Sequence, residues 1–154
     1  MNLSDGFAVI VSMKLKPWLS FAAHEMRDAI NFHYPDRDKR SDGWIGDAKH
    51  RAEKSDHNPD AKTGCVRALD IDSDLSRHKS EAIYLANQIR TCAKRDKRIA
   101  YIIHNGKIAS PILGWRWRKY KGSNPHTSHI HISFTPKGDK DPSLFDIPLL
   151  KGQQ

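Results

Sequence analysis

The sequence predicts an α+β fold in which a small antiparallel sheet packs against helices. Residues 17–34 and 80–94 place apolar side chains three and four positions apart, which is the spacing of an amphipathic helix. Strand patterns occupy residues 64–71, 98–112 and 126–134. The order of these elements is helix, loop, strand, helix, hairpin and strand, which is typical of α+β domains with an antiparallel sheet.

The length of 154 residues fits one compact domain. We expect its core within residues 17–135, and a C-terminal tail or the start of a linker at 136–154. The contents of 38% hydrophobic and 29% charged residues are those of a globular protein and exclude a disordered chain. The two cysteines, Cys65 and Cys92, are too few for a disulfide framework, so we expect both to be reduced.

The charge of the chain favours anionic partners. The formal net charge is +8, which suits nucleic acid, an acidic membrane surface or wall polymers that carry phosphates and carboxylates. A basic but merely solvated surface accounts for the same charge. The apolar stretch at residues 7–13 is short and follows Asp5, so no signal peptide is predicted. No segment approaches the roughly 20 apolar residues of a membrane span.

The first helix is predicted to end before Pro35. Its apolar stripe consists of Leu19, Ala22, Ala23, Met26 and Ile30. The apolar residues at 9–15 could form a short strand or an arm that packs on the core. Residues 35–64 are polar, and a loop of this length in a small domain is usually functional.

An acidic residue interrupts the apolar strand predicted at 64–71. A carboxylate in such a strand, here Asp70, is costly unless a cation pairs with it or it binds a metal. Asp72 has the same strand parity and is expected on the same face. A salt bridge to one of the 26 basic residues, or exposure at a sheet edge, would also account for Asp70.

A hairpin and an alternating strand complete the predicted sheet. Asn105 and Gly106 lie between two apolar runs, which is a strong signal for a tight hairpin. In the last strand, one face carries His129, His131 and Ser133, and the other carries Ile130, Ile132 and Phe134. We expect the apolar face to pack on the helices and the two imidazoles to lie side by side on the open face.

Three of these elements could together form a metal site. His57 precedes Asn58-Pro59 in a turn sequence, and the loop could return it to the start of the Asp70 strand. His57, Asp70 and His131 would then supply three ligands and leave a fourth position open, the pattern of catalytic zinc. Two histidines on a solvated face and one in a solvated loop would need no metal.

The motifs resemble those of the LAS peptidases, which include D-alanyl-D-alanine carboxypeptidases, phage L-alanyl-D-glutamate endopeptidases and the hedgehog signalling domain. The similar motifs are Ser-x-His at 55–57, Gly-x-x-x-Ala-x-Asp at 64–70 and His-x-His at 129–131. The stretches 46–72 and 114–134 look most like the peptidase domains of actinobacterial phage endolysins. The resemblance implies a hedgehog-like fold with one zinc ion per chain on the open face of the sheet.

The resemblance also implies individual roles. The implied zinc ligands are His57, Asp70 and His131. The family pattern favours Asp70, although the gap of 13 positions from His57 is longer than usual and leaves Asp72 as an alternative. Many relatives carry an acidic catalytic base three positions before the last ligand, but no acid stands three positions before His129 or His131. The resemblance therefore implies His129 as the catalytic base and His126 as a second catalytic group. The reverse assignment, with His129 as the ligand, stays open.

Further candidates lie near these residues in the sequence. Polar residues expected to orient the ligands are Asp47, His50, Ser55, Asp56 and Asp72. A cleft wall that binds substrate carboxylates is expected from Trp115, Arg116, Trp117 and Arg118. Ordinary loop polarity would account equally well for the first group, and packing of one alternating pair in the core for the second.

The function that the resemblance implies is a zinc-dependent peptidoglycan peptidase. It would cut a stem-peptide bond involving a D-amino acid, as an L-alanyl-D-glutamate endopeptidase or a D-alanine carboxypeptidase of a phage endolysin. We expect a monomer made in the host cytoplasm without a signal peptide, which acts on the wall after release. The alternatives are a basic nucleic-acid binder or metal nuclease, and a zinc-stabilised binding module without catalysis.

Overall fold

The computed structural model describes residues 15–48 and 53–152. These residues form two α-helices, α1 (Phe21–His33) and α2 (Glu81–Ala93). The strands are β1 (Trp18–Leu19), β2 (Cys65–Val66), β3 (Ala68–Asp72), β4 (Ile99–His104), β5 (Lys107–Ala109), β6 (Arg118–Lys119) and β7 (His129–Phe134). The mixture of helices with a small antiparallel sheet confirms the predicted combination of elements. The expected strand or arm at 9–15 lies almost wholly outside the described residues.

The main sheet has five antiparallel strands in the order β3-β7-β4-β5-β6. Strand β7 lies between β3 and β4, and its register places His131 directly opposite Asp70 on one side and Ile103 on the other. Directly opposite residues in an antiparallel pair project from the same face. The register therefore brings an aspartate and a histidine from distant parts of the chain to one face of the sheet.

The opposite face of the sheet packs on both helices. Helix α1 packs on β3 and α2 packs on β4. Fully buried side chains in this layer include Met26, Ile30, Leu85, Ile89, Ile102, Ile130 and Ile132. The predicted separation of β7 into an apolar face and a histidine face is therefore confirmed. None of the described helices is long and apolar enough to cross a membrane.

The strand predicted at 64–71 is divided in two, which the sequence pattern did not indicate. Strand β2 pairs in parallel with β1 in a separate two-stranded sheet, whereas β3 joins the main sheet. The division falls at Arg67, whose Nε and Nη2 each donate to the Asp139 carboxylate at 2.7 Å. The anchoring of Arg67 to Asp139 holds the chain where it passes from one sheet to the other.

The hairpin between β4 and β5 has the predicted turn. Asn105 and Gly106 have φ values of 52° and 75°, the left-handed conformations that a two-residue type I′ turn requires. The second strand is shorter than predicted and ends at Ala109. Pro111 has no N–H for the ladder, and the chain enters a 3₁₀ turn at Ile112–Trp115.

The C-terminal segment packs back on the core, where Ile147 is fully buried and Phe145 is nearly so. Arg98 anchors it: Nη1 donates to the carbonyl of Ser143 at 2.6 Å, and the guanidinium lies 3.9 Å from the centroid of the Phe145 ring. The same group donates from Nη2 to the Asp96 carboxylate at 2.6 Å. One buried cation thus joins the sheet to the segment that follows it.

Replacement of Arg98 by alanine is expected to lower the free energy of unfolding by about 2–4 kcal/mol, because it removes charge-assisted hydrogen bonds and leaves a carboxylate without its partner. Urea denaturation followed by circular dichroism would measure the change. The matched control is Arg40→Ala, since Arg40 pairs with Asp38 while 89% exposed. Its ion pair is in solvent, so the control should unfold almost as the wild type does. Equal effects of the two substitutions would contradict the anchoring role of Arg98.

Candidate metal centre

Three side chains from separate parts of the chain converge on the open face of the sheet. Asp70 of β3 and His131 of β7 are directly opposite each other, and Oδ1 of Asp70 lies 3.0 Å from Nδ1 of His131. His57 Nε2 lies 3.2 Å from Asp70 Oδ2 and 3.2 Å from His131 Nδ1. All three side chains are largely buried, with exposures of 10% for His57, 19% for Asp70 and 7% for His131. This group could hold a metal ion.

The long polar loop brings His57 to the strands in two steps. Gly43 forms an isolated antiparallel bridge with Asp70, so this part of the loop lies along the outer edge of β3. The carbonyl of the next residue, Trp44, accepts a hydrogen bond from His57 Nδ1 at 2.9 Å. The backbone of Gly46 also donates to the carbonyl of His57 at 3.0 Å. The outer edge of β3 therefore fixes the position of His57, although His57 is in no strand itself.

The hydrogen bond to Trp44 determines which nitrogen of His57 faces the cluster. A carbonyl can only accept, so Nδ1 of His57 carries a proton. In the neutral ring Nε2 then carries a lone pair, which is directed at the carboxylate of Asp70. A lone pair beside a carboxylate is unfavourable unless a cation lies between them. Burial opposes the charged form of His57, but Asp70 prevails and raises the pKa of His57 above its ordinary value.

Hydrogen bonds also determine which nitrogen of His131 faces the cluster. The hydroxyl of Ser133 donates to Oδ2 of Asp56 at 2.9 Å, so the Ser133 oxygen must accept from His131 Nε2, 2.8 Å away. His131 therefore carries its proton on Nε2 and directs the lone pair of Nδ1 at Asp70. Burial would raise the pKa of Asp70, but the neighbouring imidazoles of His131 and His57 hold it well below its ordinary value. Two lone pairs and a carboxylate meet at one point.

The spacing of these atoms fits a tetrahedral metal ion. Nitrogen and oxygen ligands held by zinc at about 2.0–2.1 Å, with tetrahedral angles, lie about 3.3–3.4 Å from one another. The two nitrogens lie 3.2 Å apart, His131 Nδ1 lies 3.0 Å from Asp70 Oδ1, and His57 Nε2 lies 3.2 Å from the other carboxylate oxygen, Oδ2. Each imidazole also donates its other N–H to an oxygen outside the cluster, as metal-binding histidines usually do. The donor set and its surroundings therefore both fit a divalent cation.

Two further histidines lie beside this group. His129 Nε2 is 3.7 Å from Asp70 Oδ2, and its Nδ1 is 3.1 Å from the hydroxyl of Ser128. The ring of His126 lies 4.8 Å from that of His129 and 5.5 Å from that of His131, and its buried Nδ1 has no hydrogen-bond partner among the described residues. Burial lowers the pKa of His129, and burial with the neighbouring His131 and His129 lowers that of His126 to about 4. Both rings are therefore neutral near pH 7.

The remaining polar candidates have separate positions. Asp56 accepts from Ser133, as described, and Ser55 Oγ accepts the backbone N–H of His57 at 3.2 Å, so both support the cluster. Asp72 is not one of the converging side chains, and its carboxylate accepts the backbone N–H groups of Ser41 and Asp74 at 2.8 Å each. Asp47 is exposed, and His50 lies outside the described residues.

The expected cleft wall of tryptophans and arginines is not part of this cluster. Trp115 is buried in the apolar core, and its carbonyl accepts from Arg90 of α2 at 2.9 Å. Trp117 packs against the same core, with Nε1 donating to Asn87 of α2 at 3.3 Å. Both indoles therefore lie on the helix side of the sheet, and Arg116 and Arg118 alternate with them. The alternation arises from core packing, which was the other interpretation of the pattern.

Tyr101 of β4, which no sequence pattern indicated, contacts the candidate ligand His131 from the neighbouring strand. Its ring stacks on that of His131 with centroids 5.6 Å apart, and its hydroxyl donates to Asp56 Oδ2 at 2.5 Å. Burial, with the Asp56 hydrogen bond, raises the pKa of Tyr101, so the phenol stays protonated. The alternation of β4 predicts that Tyr101 faces away from Ile102, but only the strand register places it beside His131.

Replacement of Ser133 by alanine is expected to weaken the binding of a divalent metal, with zinc as the probe, by about 10- to 100-fold. The reason is that His131 loses the acceptor that fixes its tautomer and ring orientation. Competition with a chromophoric chelator would measure the affinity. The matched control is Ser110→Ala, since Ser110 is also buried and its hydroxyl has no partner among the described residues. Unchanged zinc affinity in Ser133→Ala, or an equal loss in the control, would contradict this role of Ser133.

Comparison of the chain with protein-family models, with curated proteins and with solved structures finds no match. The cluster of His57, Asp70 and His131, which we call the metal cluster, and the sequence motifs are thus the observations from which a function can be inferred. Both involve the same residues, since the three motifs contain His57, Asp70 and His131.

Proposed function

We propose that the chain is a zinc-dependent peptidase that hydrolyses peptidoglycan stem peptides at a bond involving a D-amino acid. The observation that carries the proposal is the convergence of two imidazole lone pairs and a carboxylate, with a neutral histidine 3.7 Å from that carboxylate. Three protein ligands beside a candidate base are typical of catalytic zinc sites rather than structural ones. The LAS-like motifs support the substrate class.

The donor set favours zinc among the common divalent ions. Imidazole suits zinc, copper, iron and nickel, whereas magnesium and calcium prefer all-oxygen sites. His57, Asp70 and His131 would hold the ion through Nε2, one carboxylate oxygen and Nδ1 respectively. When bound, such an ion supplies Lewis-acid activation of water and of the scissile carbonyl.

The other residues supply proton transfer and orientation. His129 is neutral near pH 7 and lies beside Asp70, so it can accept a proton from the attacking water and pass it to the leaving amine. The buried Nδ1 of His126, which has no hydrogen-bond partner among the described residues, lies at the same face and would hydrogen-bond to substrate there. Ser133 and Asp56 hold the ring of His131 in position from behind. The chain thus divides metal binding and proton transfer between different histidines.

The charge of the protein is consistent with a wall substrate. A net charge of +8 attracts polymers that carry phosphates and carboxylates, and long-range attraction raises the rate of encounter with them. Partners other than the wall fit the same charge, so the charge supports the proposal without selecting the substrate.

The test is the release of new amino termini from purified peptidoglycan, with and without a chelator. We expect termini that disappear with chelator and return with added zinc. A new D-glutamate or D-isoglutamine terminus would identify an L-alanyl-D-glutamate endopeptidase, and free D-alanine a carboxypeptidase. Bound zinc without new termini from several wall types would contradict the proposal and favour a binding module. Salt-sensitive DNA binding without action on the wall would favour a nucleic-acid protein.

A further inference from the structure

A second concave site lies at the start of α1, outside the metal cluster. It is a cavity of about 480 Å³. Its aromatic and apolar wall is formed by Trp18, Phe21, Trp44 and Pro142, and we call it the aromatic groove. Polar side chains of α1, including Glu25 and Arg27, also line it. The lining of the groove therefore combines aromatic side chains with hydrogen-bonding groups.

The aromatic rings of this groove are held in fixed orientations. The indole Nε1 of Trp18 donates to the carbonyl of Thr63 at 2.8 Å, which prevents rotation of the ring. Phe21 packs edge-to-face on Trp18, with centroids 5.8 Å apart and an interplanar angle of 70°. Phe21 remains 40% exposed. Lys140 Nζ lies 4.1 Å from the Trp18 centroid and 4.9 Å from the Phe21 centroid, so a cation stands beside both rings. Little side-chain freedom is left to lose on binding a ligand.

The aromatic groove is connected to the metal cluster through one residue. Trp44 lines the groove, and the carbonyl of the same residue accepts the hydrogen bond from His57 Nδ1 at 2.9 Å. A ligand in the groove would therefore lie one residue away from a candidate metal ligand.

We propose that the aromatic groove binds a saccharide, and specifically the N-acetylated glycan of the substrate whose peptide reaches the metal cluster. The identity of this glycan rests on the proposed function. The C–H faces of a pyranose ring are apolar and stack on aromatic faces, while its hydroxyl and acetamido groups need the polar partners that Glu25 and Arg27 supply. In peptidoglycan the stem peptide is attached to the sugar directly. A bond near the base of the stem then lies only one or two residues, about 3.3–3.6 Å each, from the saccharide.

The test measures saccharide binding by itself. Isothermal titration of the full chain with an N-acetylglucosamine tetramer, in chelator, should give a heat of binding that does not depend on metal. Trp18→Ala and Phe21→Ala should weaken binding at least about fivefold, which is the order of one lost aromatic contact. Phe32→Ala is the matched control, since Phe32 lies on the same helix, 81% exposed and outside the groove, and it should bind as the wild type does. Circular dichroism would verify the fold of each variant, and Phe21→Ala, at a half-exposed position, keeps the test valid where Trp18→Ala does not fold.

The outcomes separate this inference from the proposed function. No binding of the tetramer at millimolar concentration, or equal binding by the Phe21→Ala and Phe32→Ala variants, would overturn the saccharide site whatever the peptidase assay shows. Binding of an apolar peptide in the groove in place of the tetramer would overturn it as well. Saccharide binding by a chain that releases no amino termini would support the groove and remove the proposed peptidase activity alone.

Discussion

Replacement of Asp70 by asparagine is expected to weaken zinc binding by more than about 100-fold and to remove peptidase activity. The loss of affinity should exceed the roughly 10- to 100-fold that is typical when only a residue supporting a ligand is removed. Asparagine keeps the size of the side chain but not its negative charge, and Asp70 is the single anionic member of the cluster. The new amide N–H₂ can also donate to the lone pairs of His57 or His131, which then no longer face a cation. Zinc content after dialysis and chelator competition would measure the first effect, and release of amino termini the second.

The matched control for this prediction is Asp72→Asn. Asp72 lies two positions along the same strand, but its oxygens accept the backbone N–H groups of Ser41 and Asp74. We expect this variant to keep its zinc affinity and to lose about 1–2 kcal/mol of unfolding free energy through a weakened turn. Zinc loss in Asp72→Asn with zinc retained in Asp70→Asn would show that the ligand assignment is wrong.

The parts of the fold that follow from local pattern were predictable. Apolar residues at helical spacing located both helices, although Leu19, which was assigned to the first helix, lies in β1 and α1 begins at Phe21. Strict alternation separated the histidine face of β7 from its isoleucine face. Asn105-Gly106 located the hairpin because few other residues adopt its left-handed turn. The division at Arg67 was not predictable, since the apolar run continues on both sides of it. It depends on a pairing with Asp139, which is distant in the sequence.

The residues of the metal cluster could be predicted from the sequence, but the contacts that hold them in position could not. Strand parity placed Asp70 with Asp72 and His129 with His131, and the polar loop suggested His57. The motif resemblance then favoured Asp70 and His131 as the ligands. The position of His57 depends on the Gly43 bridge and the Trp44 carbonyl, which no local pattern reveals. Tyr101 was missed for the same reason, because its contact with His131 follows from the register between β4 and β7. The register between strands and the path of the loop that carries His57 depend on contacts between distant parts of the chain. A single sequence without an alignment does not reveal such contacts.

Substitution of His129 and of His131 is expected to have large but different effects on zinc binding and on activity. His131→Ala should lose zinc, because Nδ1 of His131 is one of the converging lone pairs. His129→Ala should retain zinc, since the ring lies 3.7 Å from Asp70 and outside the group of three, but should lower kcat by about 100- to 10,000-fold through loss of the base. Zinc content and the rate of terminus release would be measured on the same samples.

The combination of the two measurements distinguishes the possible roles of these histidines. Zinc loss in His129→Ala, with zinc retained in His131→Ala, would reverse the assignment of ligand and base. Retention of both zinc and full activity in His129→Ala would assign proton transfer to His126. The ring centroid of His126 lies 4.8 Å from that of His129, and its buried Nδ1 has no hydrogen-bond partner among the described residues. In that case His126→Ala should lose activity while it keeps the metal. Trp44 fixes the tautomer of His57, and Ser133 fixes that of His131. Neither contact changes in His126→Ala or His129→Ala, so we expect both variants to retain zinc.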